Sequence, residues 1–281
     1  MNVSDFDFIS QFLKKRSGLV LSQDKAYLLE SRLNPVARKW SMSGFDELVQ
    51  KVRATNDERI LNDITEAMTT NESFFFRDQK PFDQFKDLVL PHMLEKRASS
   101  KTIRIWSAAC SSGQEPYTLA MLLKEAGPAL AGWKIEIIAT DLSNEILNKA
   151  KEGVYTQFEV QRGLPINLLV KYFQQNGDRW QIDSSIRNMV TFKSFNLLES
   201  PAMLGKFDIV FCRNVLIYFD QPTKSVVLKN IAKQMPDDGF LYLGGAETVL
   251  GISDEFQLIP GKRGIYGLVR NGELVNKAAA V

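Results

Sequence analysis

The stretch Ser107-Ala-Ala-Cys-Ser-Ser-Gly-Gln-Glu115 joins an apolar run, Ile103-Arg-Ile-Trp106, to a helical one through small side chains and a single glycine, Gly113. A glycine there lets backbone approach a ligand closely, as in the first turn of nucleotide-binding βαβ units. The turn is not the dinucleotide fingerprint, which needs three glycines around a pyrophosphate, and it lacks the GK[ST] ending of a P-loop. Glu115 instead puts a carboxylate where a phosphate would sit. That suits a ligand carrying an ammonium or sulfonium, although an acid in a first helical turn also complements the helix dipole. Asp141 closes the run Ile137-Ile-Ala-Thr and is placed to accept both hydroxyls of a ribose, or to cap the helix that follows. Asn196 follows a third apolar run and Asn214 a fourth, adding side-chain amides suited to adenine. Each asparagine alone reads as a turn residue; polar groups at successive strand ends argue for one shared site.

These side chains converge only if the apolar runs are strands of one sheet. From residue 101, short strands at 103–106, 135–140, 190–195, 207–212, 240–243 and 264–269 alternate with helical runs at 115–126, 143–152 and 221–235. The alternation predicts an α/β fold: a doubly wound, Rossmann-like sheet whose ligands bind beyond the carboxyl ends of its strands. Residues 153–189 interrupt it. There Asn176-Gly-Asp178, between Lys171-Tyr-Phe and Arg179-Trp-Gln-Ile182, marks a hairpin and an inserted β-subdomain, either a partner contact or a decoration. Residues 4 to 70 carry helical periodicity only, with starts at Ser22, Asn34-Pro35, Ser43-Gly44 and Asp57, and predict a small bundle. The chain divides into a helical domain, 1–75, and an α/β domain, 76–281, whose tail from Asn271 reads as a loose end.

Composition excludes more than it suggests. No run approaches the ~20 apolar residues of a membrane span, and Met1–Asp5 lacks a signal-peptide pattern, so a cytoplasmic chain without membrane insertion is expected. Cys110 and Cys212 have no CxxC partners and His92 is the one histidine, so no metal site is expected. Cys212 falls within a strand pattern, where a core thiol outweighs a nucleophile, and His92 reads as structural. A formal net charge of +2 does not predict a nucleic-acid partner. Between residues 14 and 53, nine basic residues outnumber four acidic ones, either as a solvated face or as a field that steers an acidic partner.

Thr70-Asn-Glu-Ser-Phe-Phe-Phe-Arg77, Ala108-Ala-Cys-Ser-Ser-Gly-Gln-Glu-Pro-Tyr117, Ala139-Thr-Asp141 and Cys212-Arg-Asn-Val-Leu-Ile-Tyr-Phe-Asp220 together resemble the chemotaxis receptor methyltransferases, the CheR family, over nearly the whole chain. The resemblance implies a helical substrate-recognition domain, an S-adenosylmethionine-dependent methyltransferase domain, and a β-subdomain inserted after its second strand and helix. It implies methyl-ester formation on glutamates in the cytoplasmic domains of chemoreceptors, with S-adenosylhomocysteine as the other product, by a cytoplasmic enzyme recruited to receptor arrays. Carried over by position, Asn71, Ser73, Arg77, Ala109, Glu115, Asp141, Asn196, Leu197, Asn214 and Val215 would contact the cofactor, with Gly113 in the turn between them. Arg77 and Tyr218 would stand beside the transferred methyl, Arg77 guiding the acceptor or holding the cofactor's carboxylate. Members that dock on a receptor-tail peptide carry a longer glycine-containing loop than Gln174–Arg179, so tether binding is not implied here. A glutamate, with an ordinary pKa of about 4.3, is already ionised at neutral pH and needs no general base to attack a sulfonium methyl. A nucleic-acid methyltransferase would need an acceptor clamp such as Asn-Pro-Pro-aromatic after the fourth strand, where this chain reads Arg213-Asn-Val-Leu. A non-catalytic cofactor sensor on the same fold is the remaining alternative.

Overall fold

The computed structural model describes residues 3–276. Four helices open the chain: α1 (Val3–Ser17), α2 (Ala26–Lys39), α3 (Phe45–Thr55) and α4 (Glu58–Met68). Phe6, Ile9 and Leu13 recur at helical spacing on α1 and bury with Leu29, Leu33, Leu48, Val52 and Ile64 in a core of their own. Asp57 starts α4 by accepting the Arg59 amide at 2.9 Å, and Ser43 binds the Glu47 carboxylate at the head of α3. Asn34-Pro35, by contrast, starts no helix. Helix α2 runs through Pro35, and the Asn34 side chain reaches across to the first amide of α3, Phe45, at 3.0 Å. Leu33, Val36 and Ala37 are all buried, and their burial outweighs the ~3 kcal/mol an interior proline costs.

Residues Lys80–Lys96 form α5 (Lys80–Gln84), a π turn (Phe85–Val89) and α6 (Leu90–Lys96), with Pro91, which has no N–H to donate, as the second residue after the widened turn. The α/β core follows with β1 (Thr102–Ala108), α7 (Gln114–Glu125), β2 (Lys134–Asp141) and α8 (Asn144–Glu152). The insert comprises β3 (Val154–Thr156), α9 (Gln157–Gln161), α10 (Ile166–Tyr172), β4 (Phe173–Asn176), β5 (Arg179–Ile182) and α11 (Ser184–Arg187). The chain then returns through β6 (Val190–Ser194), β7 (Ile209–Phe211), α12 (Gln221–Lys233), β8 (Phe240–Tyr242), β9 (Phe256–Leu258), β10 (Ile265–Arg270) and β11 (Glu273–Leu274).

The large sheet has the order β11-β10-β8-β7-β1-β2-β6, with β9 added to β10. Strands β6, β2, β1, β7 and β8 are parallel, and β10 enters antiparallel to β8. Alternation along β1 sends Ile103 and Ile105 into one core with Leu119 and Leu123 of α7, and Trp106 and Ala108 into another with Leu228 and Ile231 of α12. The chain moves outward from β1 through β2 to β6, then returns to β7 on the other side of β1. Such a reversal opens a crevice at the carboxyl ends of the two strands where it occurs.

The insert holds a second, three-stranded antiparallel sheet, β3-β5-β4. Its hairpin stands where the sequence predicts it: Asn176 pairs with Arg179 across Gly177 and Asp178, and Gly177 has φ +61°. Lys171 and Tyr172, expected in a strand, instead finish α10, because Leu168, Leu169 and Tyr172 at helical spacing face the core. The tail is anchored as far as Asn276: Leu274 is buried on β11, and the Asn276 amide donates to the Asp238 carbonyl at 2.6 Å. Lys277–Val281, also expected to be loose, lie outside the described residues. No described helix is long and apolar enough to cross a membrane.

Candidate active site

At the reversal lies a cleft with about 1050 Å³ of free space, its open mouth included. The turn after β1 supplies Ala109, Cys110, Ser111 and Glu115; β2 ends on Asp141; Asn196 and Leu197 follow β6, and Arg213–Val215 follow β7. The helical unit forms the roof with Ser17, Leu19 and the segment Met68–Ser73, and Arg77 and Tyr218 also face the space. Contacts from several strand ends hold this roof down. The Val20 amide donates to the Tyr218 carbonyl at 2.9 Å, Lys14 pairs with Asp220 at 2.8 Å, Asn196 Nδ2 donates to the Arg16 carbonyl at 2.7 Å, and Glu66 accepts the Asn144 amide at 2.9 Å.

Asn71, Ser73, Arg77, Ala109, Glu115, Asp141, Asn196, Leu197, Asn214, Val215 and Tyr218 therefore come together around one space. Gly113 does not border it. With φ +90° it precedes α7, and a Cβ there would meet Ala150 and Tyr117 at 3.1 Å, so this glycine serves close packing against α8 rather than ligand approach. Asn196 borders the cleft, but its amide nitrogen is engaged by Arg16 and its oxygen accepts the Leu198 amide at 3.1 Å.

Asp141 is buried, and burial pushes its carboxyl above the ordinary range against the pull of its backbone bonds. One oxygen accepts the Ser111 amide at 2.8 Å and the other the Ser143 amide at 3.1 Å. It is not the cap of α8; Ser143 is, accepting the Ile146 amide through its hydroxyl. Asp141 thus holds the β1–α7 turn to β2, and a carboxylate offers about four acceptor sites, so capacity remains for ribose hydroxyls. Glu115 accepts Ser107 Oγ at 2.8 Å and Arg213 Nη1 at 2.9 Å. Arg77 donates through Nη1 to the Glu72 carbonyl at 2.8 Å and lies 5.6 Å from the Phe74 ring.

Two residues that organise this geometry went unnoticed in the sequence. Arg213, its side chain 1% exposed, also donates to the Arg77 carbonyl and to Asp78, each at 2.8 Å. Its signal is a charge directly after the apolar strand residues Ile209–Cys212. Glu247 accepts the amides of Asn214 at 2.8 Å and Val215 at 2.9 Å, and so shapes the turn in which Asn214 takes φ +60°. Of the ten described non-glycine residues with positive φ, Ala109, Ser111 and Asn214 border the cleft, and Phe76, Asp78 and Gln79 flank Arg77. Strain of this kind persists only where the surroundings over-determine it, and it gathers at functional sites.

Cys110 and Cys212 are buried thiols whose pKa burial raises, as core residues should be. His92 lies outside the cleft, edge-on to Phe240 at 5.5 Å, and burial lowers its pKa. No cluster of described residues could hold a metal ion.

A reversed parallel sheet, a tight turn after β1, an acid at its head of helix and a second acid ending β2 suit a nucleoside that also bears a cationic group. They fit a Rossmann-like, S-adenosylmethionine-dependent methyltransferase, the class to which the family match assigns the chain. Two family models match the chain: CheR methyltransferase, all-alpha domain, over residues 4–69, and CheR methyltransferase, SAM binding domain, over residues 71–265. The chain belongs to the CheR methyltransferase family. It is 41% identical to chemotaxis protein methyltransferase Cher2 of Pseudomonas putida over 265 residues, spanning 93% of this chain and 96% of the relative. Chemotaxis protein methyltransferase 1 of Pseudomonas aeruginosa is 41% identical, with 93% and 96% covered. The chemotaxis protein methyltransferase of Borreliella burgdorferi is 36% identical, with 90% and 92% covered.

Proposed function

We propose that this enzyme forms methyl esters on glutamate side chains in the cytoplasmic helices of chemoreceptors and so tunes chemotactic adaptation. One observation carries the reading: among described residues the cleft is bordered by Arg77 and Tyr218 but by no histidine or lysine. Its carboxylates are engaged as well, Glu72 by Arg162, Glu115 by Arg213 and Asp141 by two amides. An amine or hydroxyl acceptor would find no free base, whereas an acceptor carboxylate needs none.

When bound, S-adenosylmethionine supplies a sulfonium methyl group open to attack by a carboxylate. Asp141 would accept the ribose hydroxyls, Glu115 would face the cationic end, and Asn71, Ser73, Ala109, Asn196, Leu197, Asn214 and Val215 would complete the contacts. Arg77 would draw the acceptor carboxylate in, with Tyr218 beside the transferred methyl. Alignment of this kind supplies roughly 7–11 kcal/mol of a barrier. The helical domain, 1–75, would recognise the receptor, its basic surplus steering toward an acidic helix. The remainder, 76–281, would transfer the methyl, with the enzyme cytoplasmic and recruited to receptor arrays. The two-residue turn at Gly177-Asp178 gives a receptor-tail tether little to hold.

The test is mass-spectrometric mapping of receptor fragments incubated with the enzyme and labelled cofactor. Label in base-labile esters on glutamate supports the reading; label on RNA, or none, refutes it. Arg77→Ala should fold and bind S-adenosylhomocysteine yet lose transfer, and wild-type turnover in that variant would remove Arg77 from the mechanism.

A further inference from the structure

Two guanidiniums lie over the Phe74 ring, Arg77 at 5.6 Å and Arg162 at 4.2 Å from its centroid. Arg77 borders the cleft, while Arg162 belongs to the insert, directly after α9. Glu72 touches both. Its carboxylate accepts Arg162 at 2.6 Å, and its backbone carbonyl accepts Arg77 at 2.8 Å. Both cations pull the Glu72 carboxyl below its ordinary range, Arg162 foremost and Arg77 less.

The insert is fastened firmly behind this contact. Gly163 has φ +84° and packs so tightly on the Phe75 carbonyl that a Cβ would fall 2.0 Å from the oxygen. The buried Tyr155 hydroxyl donates to the Ser112 carbonyl at 2.8 Å, and the rings of Tyr155 and Phe173 meet Phe75 edge-on at 5.0 and 5.6 Å. Arg162 is thus delivered to Glu72 from a fixed base, whereas Glu72 lies outside any helix or strand with its side chain 56% exposed. Remove the Arg162 charge, and Arg77 is the cation left acting on the Glu72 carboxylate, Lys149 being paired with Glu159. An internal carboxylate would then occupy the guanidinium that an incoming acceptor carboxylate needs.

We propose that Arg162 is a positioning residue for methyl transfer: it sequesters the Glu72 carboxylate and so leaves Arg77 free for the acceptor. The proposal rests on the reading of Arg77 given above. It assigns the insert a part in the reaction that needs no tethered peptide.

A double-mutant cycle on methyl transfer to receptor fragments tests it. Arg162→Gln should lower kcat/KM for the fragment about fivefold, the kinetic equivalent of one part-exposed ion pair. S-adenosylhomocysteine affinity by calorimetry should stay within about twofold, since no cofactor contact is lost. In a Glu72→Gln background the same Arg162→Gln change should alter kcat/KM by less than about twofold, because no carboxylate is left to sequester. A purely structural role for Arg162 would survive the Glu72 change. Wild-type kcat/KM in Arg162→Gln overturns the proposal, and so does an undiminished loss in the Glu72→Gln background. If the unmodified enzyme formed no base-labile ester, the acceptor assignment itself would fall, a result separable from either of these.

Discussion

Arg213 offers the sharpest test of how the site is held. Its guanidinium is almost fully enclosed and makes three bonds, to Glu115, Asp78 and the Arg77 carbonyl. In Arg213→Met the side chain's volume is roughly kept, but Glu115, with 13% of its side chain exposed, is left without its cation. Breaking a buried pair from one side costs about 3–5 kcal/mol, chiefly because the surviving charge is stranded. The Asp78 arm adds little: that side chain is 49% exposed, and such a pair contributes about 1 kcal/mol at most. We therefore expect a loss near the lower bound, about 3 kcal/mol, or roughly 6–12 °C in Tm for a chain of this size. Urea unfolding followed by circular dichroism measures it.

The mechanism makes a second demand. If the loss is the stranded charge, Arg213→Met/Glu115→Gln should be more stable than Arg213→Met alone, by about 1–2 kcal/mol. A single-variant loss below about 1 kcal/mol would mean that Arg213 is solvated, contrary to its burial. A double variant no better than the single would show that the loss comes from packing, and the electrostatic reasoning would be refuted.

Asp141→Ala should weaken S-adenosylhomocysteine binding about ten- to hundredfold by calorimetry, the loss of one or two charge-assisted hydrogen bonds, and an unchanged affinity would remove the ribose assignment. Acid should loosen the roof through Asp220, whose carboxyl is held at about 2 by Lys14 and by the Thr223 side chain and amide. A carboxyl depressed in the folded state contributes stability above its ordinary pKa of 3.8, and that contribution is lost as pH falls from there toward about 2. Hydrogen exchange at Ser17–Val20 should rise across that window, and Asp220→Asn should flatten the rise; identical profiles for the two proteins would count against the link.

The strand ends were legible because a buried parallel strand is a nearly unbroken apolar run, so the first polar residue past its end stands out. Asp141, Asn196 and Asn214, polar groups at or just past the ends of such runs, announce the carboxyl edge, and the structure brings all three to the cleft, whereas Arg213, the first polar residue after its strand, turns inward to hold the site. The reason for a glycine is not legible: Gly113 serves packing against Ala150 and Tyr117 as readily as ligand approach, and only the surroundings separate the two. Partnerships across long separations were hidden too. Arg213 meets Glu115 across 98 residues, and Glu247 reaches back 33 to the Asn214 amide, with no periodicity to betray either. Pro35 and Tyr172 show burial overriding local rules, a helix start in one case and a strand pattern in the other.

The left-handed residues around the cleft also bear on heat. Holding an ordinary side chain in that conformation costs about 1–2 kcal/mol, and Phe76, Ala109 and Ser111 bear it in two neighbouring turns, beside the more tolerant Asp78 and Asn214. Those turns regain that energy when they relax, whereas the sheet beneath them gains nothing by opening. The active form should therefore fail before the fold does, with turnover fading at temperatures where the strands remain paired. A ligand that binds only the tensed turns raises that ceiling by mass action, so the enzyme's working range widens with the concentration of its own cofactor.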